Sequence, residues 1–442
     1  MQYSLTNIVR SGRAAYNRSM SPATASRSAA WSQLFAWLGH GYMHLLVALY
    51  LTIVLSLERE WTVGYSSLIG LWTVGAFLVG VCAPLAGWLG DRWSNPWMMV
   101  LFFVGSGASA VACGLTNNPT QLAIALAALG AFASIYHPVG MAWLIKTAAN
   151  RGTSLGVWGS FGGFGVALAG FTAGGLIDLV NWRAAFWVPG VVSILTGLVL
   201  LGGIVTKQVI EQPGDRAPHK EPPRGDVVRA FIVMSVTVFL AGLIYQATQI
   251  AMPKALSERM PDFFAGGAFG VGALFTAVYV VGGFVQIFAG WLTDRFSLRN
   301  AYLFSYCLQV PAIAAASALS GLPFFLAMML MVVSNVGSLP AENALMARYT
   351  PSKWRGSAFG AKFVLSLGVG PVAVQLVSYL HERTGEFSWL YITLAGAAAI
   401  VAVAILMLPK DRAEDTVPAI ADPTGNAQPI TVAPITAAGP AE

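Results

Sequence analysis

The sequence predicts an all-α polytopic membrane protein with twelve transmembrane helices in two pseudo-symmetric halves of six helices each. Three observations predict this class: an apolar composition, twelve apolar windows long enough to span a bilayer, and an internal repeat. Of the 442 residues, 56% are hydrophobic and only 10% are charged. Because soluble proteins carry about 25% charged residues, this composition excludes an ordinary soluble enzyme.

The apolar windows set the number of spans. A transmembrane helix needs about 20 mostly apolar residues, because the hydrocarbon core of a bilayer cannot hydrogen-bond to an exposed backbone. Most connections between the windows are short, so no soluble domain is expected between them. The twelve windows lie near residues 31–57, 64–88, 97–115, 120–146, 154–176, 184–205, 229–252, 268–292, 300–319, 321–347, 357–380 and 389–408.

Charge and composition predict how the chain is oriented in the membrane and how it divides into segments. Most of the 25 Lys and Arg residues fall on one side if the N-terminus is cytoplasmic, whereas the 19 acidic residues show no strong bias. This asymmetry predicts cytoplasmic termini in a plasma membrane, the inner membrane of a bacterium, and no signal peptide is evident. We therefore expect a cytoplasmic N-terminal tail at 1–30, an N-terminal half at 31–205, a cytoplasmic linker at 206–228, a C-terminal half at 229–408 and a disordered cytoplasmic tail at 409–442.

Several function classes lack their characteristic motifs. The sequence contains no Gly-x-x-x-x-Gly-Lys-Ser/Thr loop and no His-Glu-x-x-His helix, which argues against a primary pump, a membrane enzyme and a bound cofactor. The net charge is +6, but the basic residues form no cluster with interleaved aromatics, so nucleic-acid binding is not expected. The three cysteines lie far apart inside apolar windows, which argues against a disulfide framework or a thiolate metal site.

An internal repeat relates the two halves of the chain. The octapeptide GWLGDRWS at residues 87–94 recurs as GWLTDRFS at residues 290–297. Pro138 and Pro340 form a second pair of markers at nearly the same separation. Agreement between markers this far apart indicates a duplicated unit of six helices.

These motifs resemble those of the major facilitator superfamily, and the resemblance covers nearly the whole chain. The Gly-x-Leu-x-Asp-Arg pattern is similar to the loop between that family's helices 2 and 3, repeated between helices 8 and 9. The sequence WRAAF at residues 182–186 is similar to the entry of the family's helix 6. The resemblance implies a carrier whose two halves rock about a central site.

Within the superfamily, three segments look most like the fosmidomycin-resistance branch, which is one of efflux carriers. They are YHP at 136–138, RG at 151–152 and GGFG at 162–165. Drug–proton antiporters of the superfamily usually carry an Arg in helix 4 and a Gly-Pro-x-x-Gly-Gly stretch in helix 5. Here residues 122–141 contain no Arg, and Phe171 stands in the Pro position, so the drug-antiporter signature is incomplete.

The repeated loop supplies candidates for a cytoplasmic gate. A carboxylate there can pair with an arginine or face the positive N-terminal end of a neighbouring helix, and a pair formed on one side of the transport cycle would act as a latch. The alternative is a solvated loop pair that contributes less than about 1 kcal/mol. Occurrence at two equivalent places favours the latch. The candidates are Gly87, Asp91, Arg92, Gly290, Asp294 and Arg295.

Polar side chains inside the spans are the candidates for a substrate and proton pathway, because each is costly in lipid. They are His40, His44, Tyr136, His137, Tyr245, Gln246, Gln249, Glu342 and Lys362. His40 and His44 lie four residues apart, on one face of helix 1. Membrane histidines also serve as hydrogen-bonding groups between packed helices. Two histidines at this spacing suit a metal ion as well, but no third ligand of fitting spacing is visible, so no metal site is expected.

Glu342 and Lys362 carry charge inside the predicted helices 10 and 11. They could simply neutralise one another, since the two helices are adjacent and the residues lie at similar depth. A purely structural buried pair rarely recovers its desolvation energy, which favours a role in the cavity. If the pair is tight, a histidine is the better proton carrier, because histidine titrates in the useful range.

The sequence therefore predicts a secondary active transporter that moves a small organic solute, anionic or amphipathic, by alternating access. The first hypothesis is efflux driven by protons, with Glu342 and a histidine as proton carriers. The alternative is uptake or exchange of an organic anion that uses Lys362 as its counter-charge. The expected partners are the small-molecule substrate, protons and the lipid bilayer, and the expected state is a monomer.

Overall fold

A computed structural model of the chain describes residues 22–148, 151–211, 224–261, 267–293, 295–350 and 355–409. The regular elements in these ranges are helices, which confirms the predicted all-α class. The predicted N-terminal and C-terminal tails and the linker lie largely outside the described residues. Helix α1 begins at Pro22, before the predicted start of the first span, and α7 begins at Arg224, inside the predicted linker.

The helices form twelve consecutive spans, numbered α1 to α12. Nine spans are single helices: α1 Pro22–Glu60, α3 Asn95–Gly114, α5 Arg151–Leu179, α6 Trp182–Val205, α7 Arg224–Arg259, α8 Ala268–Thr293, α9 Leu298–Ala316, α10 Gly321–Tyr349 and α12 Ser388–Leu406. Three spans are interrupted: α2 is Tyr65–Gly70, Thr73–Val81 and Ala83–Arg92, α4 is Pro119–Ala133 and Tyr136–Thr147, and α11 is Arg355–Gly368 and Gly370–Thr384.

A proline follows one break in each interrupted span. Pro84, Pro138 and Pro371 lie in the first turn of the segment after the break. A proline has no N–H to continue the hydrogen-bond ladder, and its ring clashes with the carbonyl one turn earlier, so a helix breaks or bends just before it. In α4 this break places His137 beside an irregular turn deep within the bundle.

Eleven of the spans in the described ranges are long and apolar enough to cross a membrane. The span outside this set is α9, which is helical over 19 residues. Its polar residues Arg299, Asn300 and Gln309 lower its hydropathy. Because α9 packs along α10 and α12, it completes the predicted set of twelve.

The two sets of six helices meet along close backbone contacts. Helix α5 packs on α8, α2 on α11, and α1 on α7. At the crossing of α5 and α8, a Cβ on Gly272 would lie 2.1 Å from the carbonyl oxygen of Gly170, so only glycine permits this approach. The Thr276 hydroxyl donates to the carbonyl of Ala167, 2.6 Å away, at the same crossing.

The helices alternate in direction, so the described chain begins and ends at the same end of the bundle, here called the terminal end. The opposite end is closed by polar contacts between the two sets of helices. Lys254 on α7 lies 2.6 Å from Glu58 on α1, and the Tyr65 hydroxyl on α2 donates to the carbonyl of Ile250 on α7 at 3.2 Å. A cavity lies between the two sets of helices, further into the bundle than these contacts.

Candidate substrate cavity

The candidate site is a cavity of about 160 Å³ in the middle of the bundle. Helices α1, α4 and α5 line one side of it, and α7, α8, α10 and α11 line the other. Six of the nine predicted pathway residues border this cavity: His40, His44, His137, Tyr245, Glu342 and Lys362. The fold thus brings polar residues that lie far apart in the sequence to the wall of one cavity.

An ion pair lies in the wall formed by α10 and α11. Lys362 Nζ is 2.7 Å from Glu342 Oε1, and the side chains are 7% and 2% exposed. The two charges thus form an ion pair and also border the cavity, so both interpretations offered by the sequence stay open. A buried pair of this kind depends on full hydrogen bonding of both partners, since neither charge can be hydrated by bulk water.

Further hydrogen bonds hold both members of the pair. The Tyr302 hydroxyl on α9 donates to Glu342 Oε2 at 2.9 Å, so each carboxylate oxygen of Glu342 has a partner. Lys362 also donates to the amide oxygen of Asn343. An ammonium group carries three donors, so the third N–H of Lys362 remains for a group inside the cavity.

Three histidines form a cluster across the cavity from this pair. The Nε2 atoms of His40 and His44 are 3.2 Å apart. The His40 and His137 rings lie with their centroids 5.4 Å apart, and the three side chains each bring a nitrogen within 4.8 Å of the others. Both ring nitrogens of His137 are buried and lack a hydrogen-bond partner among the described residues.

Aromatic residues on α4 and α5 fix the orientation of His40. Trp158 stacks on His40 with ring centroids 3.8 Å apart, and Trp158 Nε1 donates to the Tyr136 hydroxyl at 2.8 Å. Tyr136 in turn donates to the carbonyl of Ala36 at 2.5 Å. Tyr136, a predicted pathway residue, is buried behind His40 and acts in this arrangement as a support for the cluster.

The remaining predicted pathway residues lie on α7. Tyr245 borders the main cavity and accepts a hydrogen bond from Gln249 Nε2 at 3.3 Å. Gln246 and Gln249 border a second cavity of about 30 Å³, which His44 also borders. This smaller cavity lies between the main cavity and the opposite end of the bundle.

Those predicted gate residues that the structure describes lie at the terminal end. Asp91 is 4.0 Å from Lys146 on α4, and its side chain is 76% exposed. Arg92 stacks on Trp88 at 4.5 Å, and its repeat equivalent Arg295 stacks on Trp291 at 4.0 Å. Both copies of the repeat therefore contain a contact between an arginine and the tryptophan one helical turn before it.

The two predicted gate glycines differ in their surroundings. A Cβ on Gly87 would lie 3.1 Å from Pro138 Cβ, whereas a Cβ on Gly290 would meet nothing within 4 Å. Asp294 lies outside the described residues. The latch remains a prediction.

Sequence reasoning missed several cavity residues, among them Trp158, Asn335, Asn343 and Phe363. A signal for one of them was present. Asn335 lies seven residues before Glu342, which is two helical turns on the same face of α10. The amide nitrogen of Asn335 is buried and has no hydrogen-bond partner among the described residues, so it is a free donor at the cavity.

Comparison with known proteins identifies the family. The profile of the Major Facilitator Superfamily matches residues 32–274 and 234–437. The chain belongs to this superfamily. This superfamily is one of membrane transporters, and the eleven long apolar helices among the described residues suit a membrane protein. The superfamily resemblance predicted from the repeated loop is confirmed, whereas the fosmidomycin-resistance branch is not.

Relatives with recorded roles are only distantly similar. The chain is 23% identical to a gallate transporter of Pseudomonas putida over 83% of this chain and 89% of that protein. It is 27% identical to the "Probable actinorhodin transporter" of Streptomyces coelicolor over 81% of this chain and 62% of that protein. An uncharacterised MFS-type transporter of Mycobacterium tuberculosis is 26% identical over 76% of this chain, which spans 48% of that relative.

Solved structures show the same fold. The nucleoside transporter NupG superimposes with a TM-score of 0.66 at 13% identity, over 86% of this chain and 100% of that one. A bacterial homologue of the lysosomal transporter Spinster, in an inward-facing and unoccupied conformation, gives a TM-score of 0.63 at 13% identity over 88% and 95% of the two chains.

Proposed function

We propose that this chain is a secondary carrier of a small organic anion, in which anion binding at Lys362 is coupled to proton binding at Glu342. The observation that carries the proposal is the ion pair of 2.7 Å in the wall of the cavity between the two sets of helices. Both charged side chains border the cavity, so a solute anion can approach Lys362 directly.

The coupling follows from competition for one ammonium group. An anion that binds Lys362 displaces the carboxylate of Glu342 and leaves it buried without its counter-charge. A buried carboxylate without a partner favours its protonated form. Among the described residues, the phenols of Tyr302 and Tyr306 lie beside Glu342, and the histidine cluster and the phenols of Tyr245 and Tyr279 line the same cavity. None of these side chains carries a fixed positive charge of its own. Anion and proton therefore bind together.

This sign of coupling favours symport over antiport. When anion binding promotes proton binding, the loaded carrier holds both ligands. The charge of the proton then offsets that of a monovalent anion, so the net charge of the site hardly changes. An antiporter requires that the two ligands exclude one another. In the empty cavity both carboxylate oxygens of Glu342 are held by Lys362 and Tyr302.

The size and lining of the cavity support an aromatic anion. A cavity of about 150 Å³ accommodates a benzene ring, and this cavity has about 160 Å³. The rings of Trp158, Tyr279 and Phe363 line it. The amide nitrogen of Asn335, which lines the same cavity, has no hydrogen-bond partner among the described residues and is a second donor. The similarity to a gallate transporter, which extends over most of both proteins, supports the same class of solute.

The closure at the opposite end supports alternating access. With the termini cytoplasmic, as the distribution of Lys and Arg predicts, the opposite end is the outer face, and the conformation described is closed to the outside.

Proteoliposomes loaded at neutral pH test the proposal, with labelled gallate as the probe. An inward proton gradient should drive accumulation by the wild type. Glu342→Gln mimics the protonated carboxyl group, so it should retain gallate exchange and lose accumulation. Lys362→Ala should lose both. The control is Glu382→Gln, an exposed carboxylate at the end of α11, which should accumulate gallate like the wild type.

Proton-driven efflux is the second candidate function. It is supported by the similarity over part of the chain to a tetracenomycin C resistance and export protein of Streptomyces glaucescens and by the motifs that resemble the fosmidomycin-resistance branch. In the same assay, antiport would appear as gallate leaving the vesicles while protons enter them. Loss of proton coupling in His137→Gln, with coupling intact in Glu342→Gln, would move the proton site from Glu342 to the histidines.

A further inference from the structure

The histidine cluster has a feature that neither anion binding nor the family fold requires. His40, His44 and His137 come from two helices, and one nitrogen from each lies within 4.8 Å of the others. The cluster faces the cavity. The sequence argued against a metal site only because no third ligand was visible at a fitting spacing, and the folded chain removes that objection by bringing α4 against α1.

We propose that His40, His44 and His137 bind one divalent transition-metal ion, of the class represented by Zn²⁺, with the remaining coordination position open to the cavity. Three histidines with one exchangeable position form a common set of zinc ligands, and neutral imidazole suits zinc, copper and nickel. This inference stands apart from the proposed transport function, because metal binding is measured without transport.

The distances fit a tetrahedral centre. Two imidazole nitrogens that are each about 2.0–2.1 Å from zinc lie about 3.3 Å from one another. The Nε2 atoms of His40 and His44 are 3.2 Å apart. The nitrogen of His137 lies within 4.8 Å of the other two, so it must move by up to about 1.5 Å to complete the site. Its nitrogens have no hydrogen bond to break among the described residues.

The surroundings of His40 are those of an oriented metal ligand. His40 Nδ1 lies 2.5 Å from the carbonyl oxygen of Trp158. A carbonyl can only accept, so Nδ1 donates and the lone pair is on Nε2, the atom that faces His44. A backbone carbonyl that fixes the tautomer in this way is the usual outer partner of a metal-binding histidine.

The backbone of α5 confines the His40 ring. A Cβ on Gly162 would lie 2.4 Å from His40 Cε1, so an alanine there must displace the imidazole. Gly156 lies on the same helix, and a Cβ on it would meet nothing within 4 Å. Alanine substitutions at these two positions form a matched pair, because both keep all three histidines in the sequence and only the one at Gly162 displaces the His40 ring.

Purified full-length protein, without a polyhistidine tag, is titrated with Zn²⁺ against a chromophoric chelator. We expect one zinc per chain, and at least about tenfold weaker binding in His44→Gln and His137→Gln. His381→Gln removes a histidine at the opposite end and should bind like the wild type. Equal binding by wild type and His137→Gln, or no binding by the wild type, would overturn the proposal.

Two further measurements keep the proposal testable if the histidine variants fold poorly. The visible absorption spectrum of Co²⁺ bound to the wild type should have the intensity of a four-coordinate site, and the weak bands of six-coordinate cobalt would contradict it. Gly162→Ala should weaken zinc binding, whereas Gly156→Ala should not. Equal zinc binding by these two variants would show that the position of His40 is irrelevant to the metal.

Discussion

Two ion pairs of nearly equal length occupy contrasting surroundings in this transporter. Lys362 and Glu342 are 2.7 Å apart in the cavity wall, with side chains 7% and 2% exposed. Lys254 and Glu58 are 2.6 Å apart at the opposite end, with side chains 15% and 29% exposed. The first pair lies within one set of six helices, and the second joins the two sets. Distance alone therefore says little about what each pair does.

The difference in burial determines what can break each pair. Water can replace either partner of the pair at the opposite end, where Lys254 also lies 3.6 Å from Glu258. Separating the two sets of helices at that end therefore costs little, as the proposed alternating access requires. The cavity pair can separate only if something else satisfies both charges. A solute anion for Lys362 and a proton for Glu342 meet that requirement.

The largest expected effect follows from removing one member of the buried pair. Lys362→Met leaves Glu342 without its counter-charge, which should lower the free energy of unfolding by about 3–5 kcal/mol. Lys362→Met combined with Glu342→Gln removes both charges and should recover most of that loss. Thermal unfolding of the purified protein in detergent measures both variants.

The half-buried pair at the opposite end, Lys254 and Glu58, provides the control for this experiment. Lys254→Met alone should change the free energy of unfolding by no more than about 1 kcal/mol. The comparison fails if Lys254→Met is as harmful as Lys362→Met. It also fails if the double variant in the cavity is no more stable than the single one, since the two charges would then not depend on one another.

The sequence could predict the class of fold and part of the cavity. Apolar windows and the repeated loop indicated twelve spans, and the rarity of charge inside them selected Glu342 and Lys362. The third histidine contact could not be predicted, because the break at Pro138 and the packing of α4 on α1 decide where His137 points. The Lys254–Glu58 pair was missed because charges at span ends are common, and only the contact between the two sets of helices pairs them.

A smaller effect is expected at the closure of the opposite end. Lys254→Ala removes a contact worth up to about 1 kcal/mol, which corresponds to about a fivefold change in the opening equilibrium. In a variant without the native cysteines, Gln246→Cys places a thiol beside the small cavity behind this closure. Its rate of modification by an impermeant reagent outside intact cells should rise about fivefold in Lys254→Ala.

The control for that experiment is an exposed cation at the same end. Arg383 stacks on Tyr379 of its own helix at 5.4 Å, so Arg383→Ala removes a charge without touching the closure. Its rate of thiol modification should match that of the parent protein. An equal rise in both variants would mean that general surface charge, not the Lys254 contact, governs reagent access.

The smallest effect is expected from a contact that supports the same closure. His381 Nε2 on α11 lies 3.0 Å from Glu258 Oε1 on α7, and Lys254 Nζ lies 3.6 Å from the same carboxylate oxygen. Because His381 and Glu258 both belong to the second set of helices, His381 acts only indirectly, by holding Glu258 beside Lys254. His381→Ala removes that support, so thiol modification at Gln246→Cys should be about twofold faster than in the parent protein. An unchanged rate in His381→Ala would show that the position of Glu258 does not depend on His381.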